Sequence, residues 1–280
     1  VGSEMCIRDS FYFVLDVMRI LKNRNYFSKK RIKGLSANRK LRILGNGSSL
    51  NNVNFDNEGL EDYMVVNRHV LSDNYVLVKP LYYVLADPHF FHHSEGLEIL
   101  QKINEKTNWR MTLCIPFSRE VKRQILMTIT NSNINLLYYN ATNLLCDFKF
   151  VKYFCYKWQL AMPVVQNVLV ASIMLGILFK YSNIELYGVE HTWTKYLFVD
   201  KDNIVYLENP HFFDKEKVVA KPVKEIQHTE EYPFYLILKN YARMFESYWE
   251  IKKYISDCHI GCQVINKTEG SFIDAFSKDV

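Results

Sequence analysis

Short apolar runs recur along the chain, and each is closed by polar residues. After an apolar pair at Ile43 and Leu44 come Tyr63–Val66, Leu81–Ala86, Met111–Ile115, Ile134–Tyr139 and Ile184–Tyr187. Between several of them apolar positions repeat at helical spacing, over Glu95–Glu105, Ser118–Met127 and Val164–Tyr181. Strands of about 4–6 residues alternating with helices predict an α/β fold with a mainly parallel sheet and helices on both faces. In such sheets ligands sit beyond the C-terminal strand ends. The polar groups that close the runs stand there: Gly45-Asn46-Gly47-Ser48-Ser49, Asn67, Asp87 and Gly188.

Val164–Phe179 has 16 residues and carries Gln166, Asn167 and Ser172, short of the ~20 apolar residues that cross a bilayer. It reads as a buried crossover helix with Gln166 and Asn167 at its first turn. Tyr196–Val199 and Ile204–Leu207 flank Asp200-Lys201-Asp202-Asn203, which has the turn chemistry of a hairpin. Glu230–Ile255 is a long aromatic-rich helical stretch, and Cys262–Ile265 reads as a last strand.

At the N-terminal side, Phe11–Asn25 spaces Phe13, Val14, Val17, Met18 and Leu21 on one helical face. No Asp or Glu lies between Val17 and Phe55, whereas ten Lys and Arg residues do, from Arg19 to Arg42. Such a helix and basic tract suit either peripheral contact with an anionic membrane surface or a terminal helix followed by a solvated linker. Val1–Ser10 resembles a translated adapter read-through and is set aside. The chain therefore divides into residues 1–10, a helix and basic linker over 11–40, and one domain over 41–280 with a small hairpin and helical lid at about 189–230.

With 49% hydrophobic and 23% charged residues among 280, the chain can bury a large core and is not a disordered polymer. Its net charge of +5 is too small to argue for nucleic acid. Of the six cysteines only Cys258 and Cys262 are close, and without a matching second pair they are no zinc pattern. A reducing, cytoplasmic setting is expected, with the inner face of the cell membrane as an option if the basic N-terminal region makes the membrane contact.

The glycines of Leu41–Asn52 permit close backbone approach, and unpaired N–H groups beyond them can hold an anion. The loop lacks the Lys of a Walker loop and the third Gly of a dinucleotide fingerprint, so a structural turn and a phosphate loop both remain open. His191, in GVEHTW, and His211, in NPHFFD, are the candidates to take a proton from a hydroxyl nucleophile. No Ser-His-Asp grouping, Cys nucleophile motif or HExxH helix is present, and no metal cage is evident. A phosphate leaving group would then need neutral donors, drawn from Asn46, Ser48, Ser49, Asn67, Gln166, Asn167, Thr192 and Tyr196.

The segments GNGSSL, VVNRH, ADPHFF and QNVLVASIMLGILFKYSNIELYGVEHTW occur in an order similar to two related bacterial groups. These are the CMP-sialic-acid-dependent sialyltransferases and the hydroxymethylpterin diphosphokinase-like proteins of polysaccharide clusters. NKTEGSFIDAF and HFFD resemble the polysaccharide-associated branch. The resemblance implies a Rossmann-like, metal-independent glycosyltransferase that needs no cofactor beyond a CMP-sugar co-substrate and acts on a glycan or lipid-linked acceptor. It implies phosphate contact at Asn46 in Gly45–Ser49 and nucleotide contact at Asn67. Asp87 stands where the sialyltransferases have Asn, and Gln166-Asn167 replaces a Thr-Ser-Gly. Gly188 and Glu190 match a Gly-X-Asp, and Thr192 occupies the place of a phosphate-binding Tyr, with Tyr196 nearby. His211 begins a segment like a His-Tyr-X-X-His, but position 214 is Asp, so either His211 or His191 is left as base.

Three functions compete at this level. The first is inverting transfer of a sugar, a sialic or related ulosonic acid among the options, from a CMP donor to a glycan hydroxyl. The second is pyrophosphoryl transfer from ATP to a pterin alcohol, with Mg²⁺ held by Asp87 and Glu190. The third is a non-catalytic partner of a polysaccharide-assembly complex.

Overall fold

A computed structural model describes residues 12–20, 39–55, 61–208, 219–227 and 229–279. Its strands are β1 (Lys40–Leu44), β2 (Glu61–Val66), β3 (Tyr82–Val84), β4 (Met111–Pro116), β5 (Ile134–Tyr139), β6 (Asn183–Tyr187), β7 (Leu197–Val199), β8 (Val205–Leu207), β9 (Lys221–Pro222), β10 (Gln263–Asn266) and β11 (Ser277–Lys278). The helices are α1 (residues 12–20), α2 (Asn74–Val78), α3 (His89–His92), α4 (Ser94–Lys106), α5 (Arg119–Thr128), α6 (Lys149–Lys157), α7 (Val168–Leu178), α8 (Val223–Ile226) and α9 (Phe234–Asp257).

Among the described residues the main sheet has eight strands in the order β11-β10-β6-β1-β2-β3-β4-β5, and every pair is parallel. The Rossmann-like expectation is met. Alternation along the strands feeds two cores. Met64, Val66, Tyr82 and Val84 face α7 and α9, whereas Tyr63, Val65, Tyr83 and Leu85 face α4 and α5. Both faces are thereby covered, as a parallel sheet requires. A separate antiparallel sheet, β7-β8-β9, stands where the hairpin was expected.

The 164–181 pattern narrows to α7, which is buried from Val168 to Ile177 and lies against β1, β2 and β3. Asn167 caps it, its side chain accepting the Leu169 N–H at 2.8 Å. Among the described residues no helix is long and apolar enough to cross a membrane.

The basic tract has a partly internal role. Arg39 pairs with Asp62 (2.7 Å), and Arg42 pairs with Glu61 (2.6 Å) and Glu185 (3.4 Å). Tyr181 donates its hydroxyl to the other Asp62 oxygen at 2.6 Å. These ion pairs tie β1 to both of its neighbours. Residues 21–38 of the tract lie outside the described residues. The apolar face expected of α1 points outward, with Val14 and Met18 exposed. The helix docks through Asp16, whose carboxylate accepts the N–H groups of Leu145 and Cys146 at 2.8 and 2.9 Å, and through Arg19, which donates to the Asn143 carbonyl at 3.2 Å. The sequence reading assigns no element to α6, KFVKYFCYK, in which Cys155 and Tyr156 are buried while Phe150 and Phe154 are exposed.

Because α7 fills the centre of one core, Ile173→Ala should lower unfolding stability by about 2–5 kcal/mol. Leu126→Ala, on the exposed side of α5, should change it by less than about 0.5 kcal/mol. Urea unfolding followed by circular dichroism distinguishes the two.

Candidate functional site

After β1 the chain crosses one way to β2, β3, β4 and β5, and then returns to place β6 on the other side of β1. The C-terminal ends of β1 and β6 are thus the point where the sheet reverses its winding, the usual ligand position in open α/β sheets. The two glycine-bearing turns meet there. Gly45 N–H donates to the Tyr187 carbonyl at 2.8 Å, and Gly47 N–H to the Gly188 carbonyl at 2.9 Å.

This contact explains the glycines. A Cβ at Gly45 would strike the Gly188 carbonyl, and one at Gly47 would overlap the Glu190 carboxylate. Gly188 itself has φ +63 and faces Leu50, a backbone angle and a clearance that only glycine meets comfortably. The Glu190 carboxylate lies over Gly47 and accepts the Ser49 N–H at 2.7 Å. Of the N–H groups expected to cradle a phosphate, those of Gly45, Gly47 and Ser49 therefore already serve protein acceptors. The carboxylate also adds negative charge at that spot.

On the other flank, Asn67 follows β2 with φ 51. Its N–H donates to the Val84 carbonyl (3.2 Å), and the Tyr83 hydroxyl donates to its carbonyl (2.5 Å). Asn46 donates its side-chain amide to the Val66 carbonyl at 3.2 Å. The buried oxygens Asn46 Oδ1, Asn67 Oδ1 and Ser49 Oγ have no hydrogen-bond partner, and such groups cost free energy unless a ligand meets them. Behind the loop, fully buried His69 is hydrogen-bonded to the Gly45 backbone.

Between these elements lies a cleft of about 280 Å³, near the ~300 Å³ at which ligand clefts begin. Gly45, Asn46, Gly47 and Ser48 line one side, with Asn67 beside them. Gly188, Glu190, His191, Thr192 and Tyr196 line another, and Asn167 with the first turn of α7 closes the third. Ser49 reaches this group through its bond to Glu190. Asp87 and Gln166 do not line the cleft. They line an adjoining cavity of about 320 Å³ that meets it at Asn167 and Trp193. His211 lies outside the described residues.

His191 is 7% exposed, with φ 52. Its Nε2 is 2.8 Å from the Tyr248 hydroxyl, and its ring packs against Trp193 and Phe245. Burial pushes its pKa down to about 3, against a smaller opposing hydrogen bond to the Val189 backbone. Tyr248, on the long aromatic helix, and Trp193 were not singled out from sequence; nothing in their spacing separates them from packing residues. Asp87 and Glu190 line different cavities. Among the described residues no group of three or more His, Cys, Asp or Glu side chains is placed to hold a metal ion.

No family model matches the sequence, and no curated protein matches it. Solved structures that are similar include three from Campylobacter jejuni. The sialyltransferase CstII in complex with the substrate analogue CMP-3FNeuAc is 12% identical, with TM-score 0.45 and 86% of each chain covered. An alpha-2,3-sialyltransferase in apo form is 14% identical, with TM-score 0.46, covering 91% of this chain and 84% of that one. The monofunctional alpha-2,3-sialyltransferase Cst-I is 16% identical, with TM-score 0.45 and the same coverage.

Burial lowers the pKa of His69 and of His191 to about 3 from an ordinary 6.5. Each folded-state value lies below the unfolded one, so the unfolded chain binds the proton more readily. Stability is therefore complete above about pH 6.5 and falls as the pH drops from there toward 3, by about 1.4 kcal/mol per pH unit for each histidine. Urea titrations at pH 7.5 and 5.5 should show this loss, and His191→Gln should reduce it.

Proposed function

We propose that the chain is a glycosyltransferase that moves a sugar from a CMP-activated donor to a glycan hydroxyl with inversion. One observation carries the nucleotide reading. The Gly45–Ser48 turn, Asn67, the first turn of α7 and the Gly188–Glu190 turn, far apart in sequence, converge on one cleft at the winding reversal of the sheet. The cytidine assignment rests on the motif resemblance of GNGSSL, VVNRH and GVEHTW.

Within the cleft the nucleoside and the phosphate take different sides. Beside the Gly-rich turn stands the Glu190 carboxylate, which suits ligand O–H and N–H donors such as ribose hydroxyls or an exocyclic amine. It repels a phosphate. The phosphate belongs opposite, at the N-terminus of the 11-residue α7, whose aligned peptide dipoles favour an anion. Thr192 and Tyr196 add hydroxyl donors as the glycosidic C–O bond to phosphate breaks and the leaving group takes the electron pair.

The acceptor hydroxyl attacks the anomeric carbon and its proton must go to a base. His191, buried and bonded to Tyr248, is assigned the role of a positioning residue for the turn that carries Glu190 and Thr192. The base is assigned to His211.

Calorimetry with CMP tests the nucleotide site. Binding to the intact chain is expected, and Asn46→Ala should weaken it at least ~10-fold, the worth of one good hydrogen bond. Absence of binding by any cytidine nucleotide would overturn the reading. His211→Ala should lower transfer by about 10²–10⁴ while leaving CMP affinity within twofold of the starting value, roughly the scatter expected for an untouched site.

A further inference from the structure

The segment NKTEGSFIDAF lies behind the cleft and holds one of its walls. It begins at Asn266, the last residue of β10. β6 ends at Tyr187, and its pairing with β10 stops where Leu186 stands opposite Asn266. Val189, two residues past the strand, is buried and lines the cleft, so its peptide groups need partners that the β6–β10 ladder no longer provides.

Residues 267–272 supply them. Lys267 N–H donates to the Leu186 carbonyl at 2.9 Å, and Phe272 N–H to the Glu190 carbonyl at 2.8 Å. Between these two, side-chain hydroxyls take the place of a strand. Thr268 Oγ1 accepts the Val189 N–H at 3.2 Å and donates to the Leu186 carbonyl at 3.5 Å. The Ser271 hydroxyl donates to the Val189 carbonyl at 2.7 Å. Both residues are buried, and fully buried Asn266 orients them: its oxygen accepts the Thr268 N–H at 3.0 Å, and its amide donates to Ser271 Oγ at 2.9 Å. The support is itself anchored, since Ile273 and Ala275 lie in the core and Trp249 of α9 donates to Asp274 at 2.9 Å.

The turn is thus gripped from two sides. Gly45 and Gly47 hold the Tyr187 and Gly188 carbonyls, while Thr268 and Ser271 hold both peptide groups of Val189. Where the turn stands decides where the Glu190 carboxylate meets the Ser49 N–H. A buried N–H or carbonyl stripped of its partner is costly, so losing either hydroxyl favours a shifted turn. We propose that Thr268 and Ser271 are positioning residues whose hydroxyls set the depth of the Gly188–Glu190 turn and, through Glu190, the fit of the nucleoside. The effect on the nucleoside rests on the nucleotide reading of the cleft; the hold on the turn does not.

Amide hydrogen exchange on the full chain, read residue by residue by NMR, tests the hold, and calorimetry with CMP tests its consequence. Thr268→Val keeps the branched shape and removes the hydroxyl. In that variant the Gly47 and Ser49 amides, which donate to this turn, should exchange at least ~10-fold faster, while Leu113, buried in β4, keeps its rate. Ser271→Ala should act in the same direction. Thr268→Ser, which restores the hydroxyl, should bring both amides back to within about twofold of the starting rate. CMP should bind Thr268→Val at least ~10-fold more weakly and Thr268→Ser as it binds the starting chain. Unchanged Gly47 and Ser49 exchange in Thr268→Val and Ser271→Ala, an acceleration that Leu113 shares equally, or a Thr268→Ser variant that behaves like Thr268→Val overturns the hold. Should Thr268→Val fail to fold, Ser271→Ala and Thr268→Ser decide by the same readings. Faster exchange with unchanged CMP affinity overturns the link to the nucleoside. If CMP does not bind the starting chain, the nucleotide reading fails and the exchange pattern alone decides whether the hydroxyls hold the turn.

Discussion

The carboxylate of Glu190, laid over Gly47 and accepting the Ser49 N–H, is the contact on which the site depends. It joins the turn after β1 to the turn after β6, the two elements that flank the winding reversal of the sheet. With the paired backbone bonds from Gly45 and Gly47, it fixes the spacing of the two turns and hence the width of the cleft. It also places a carboxylate beside a turn whose Gly45, Gly47 and Ser49 N–H groups already serve protein acceptors.

Support for this contact reaches well into both cores. His69 is hydrogen-bonded to Gly45 from behind, and Tyr83 holds Asn67 in its left-handed conformation through a 2.5 Å bond. His191 is clamped by Tyr248 on α9. Residues that line the cleft are therefore braced by the buried side chains of His69, Tyr83 and Tyr248. Side chains held in this way offer dipoles that need not reorganise when a charge develops beside them.

Much of the fold was legible because hydrophobic period maps directly onto the buried faces. Ile134–Tyr139 is a strand with the expected ends, and Tyr63–Val66, Met111–Ile115 and Ile184–Tyr187 differ by one or two residues. Gly45–Ser48, Asn67, Gly188, Glu190, Thr192 and Tyr196 do line one cleft, since strand ends in a parallel sheet share an edge. What the sequence could not disclose was why the glycines are there. A glycine that admits a phosphate and one that admits a neighbouring carboxylate look the same in one dimension, and the choice depends on a register 143 positions away in the chain, Gly47 to Glu190. Asp87 and Gln166 were displaced into the second cavity for a similar reason: sequence assigns a strand end to the crevice but not to a side of α7.

The division of the cleft into a nucleoside side and a phosphate side is tested most directly by a crystal structure of the chain with CMP bound. The account predicts ribose or base donors against Asn46 and Asn67, the phosphate against the first turn of α7, and an intact Ser49 N–H bond to Glu190. A phosphate seated in the Gly45–Ser49 turn with the Glu190 carboxylate pushed aside, or CMP bound away from the cleft, would contradict it.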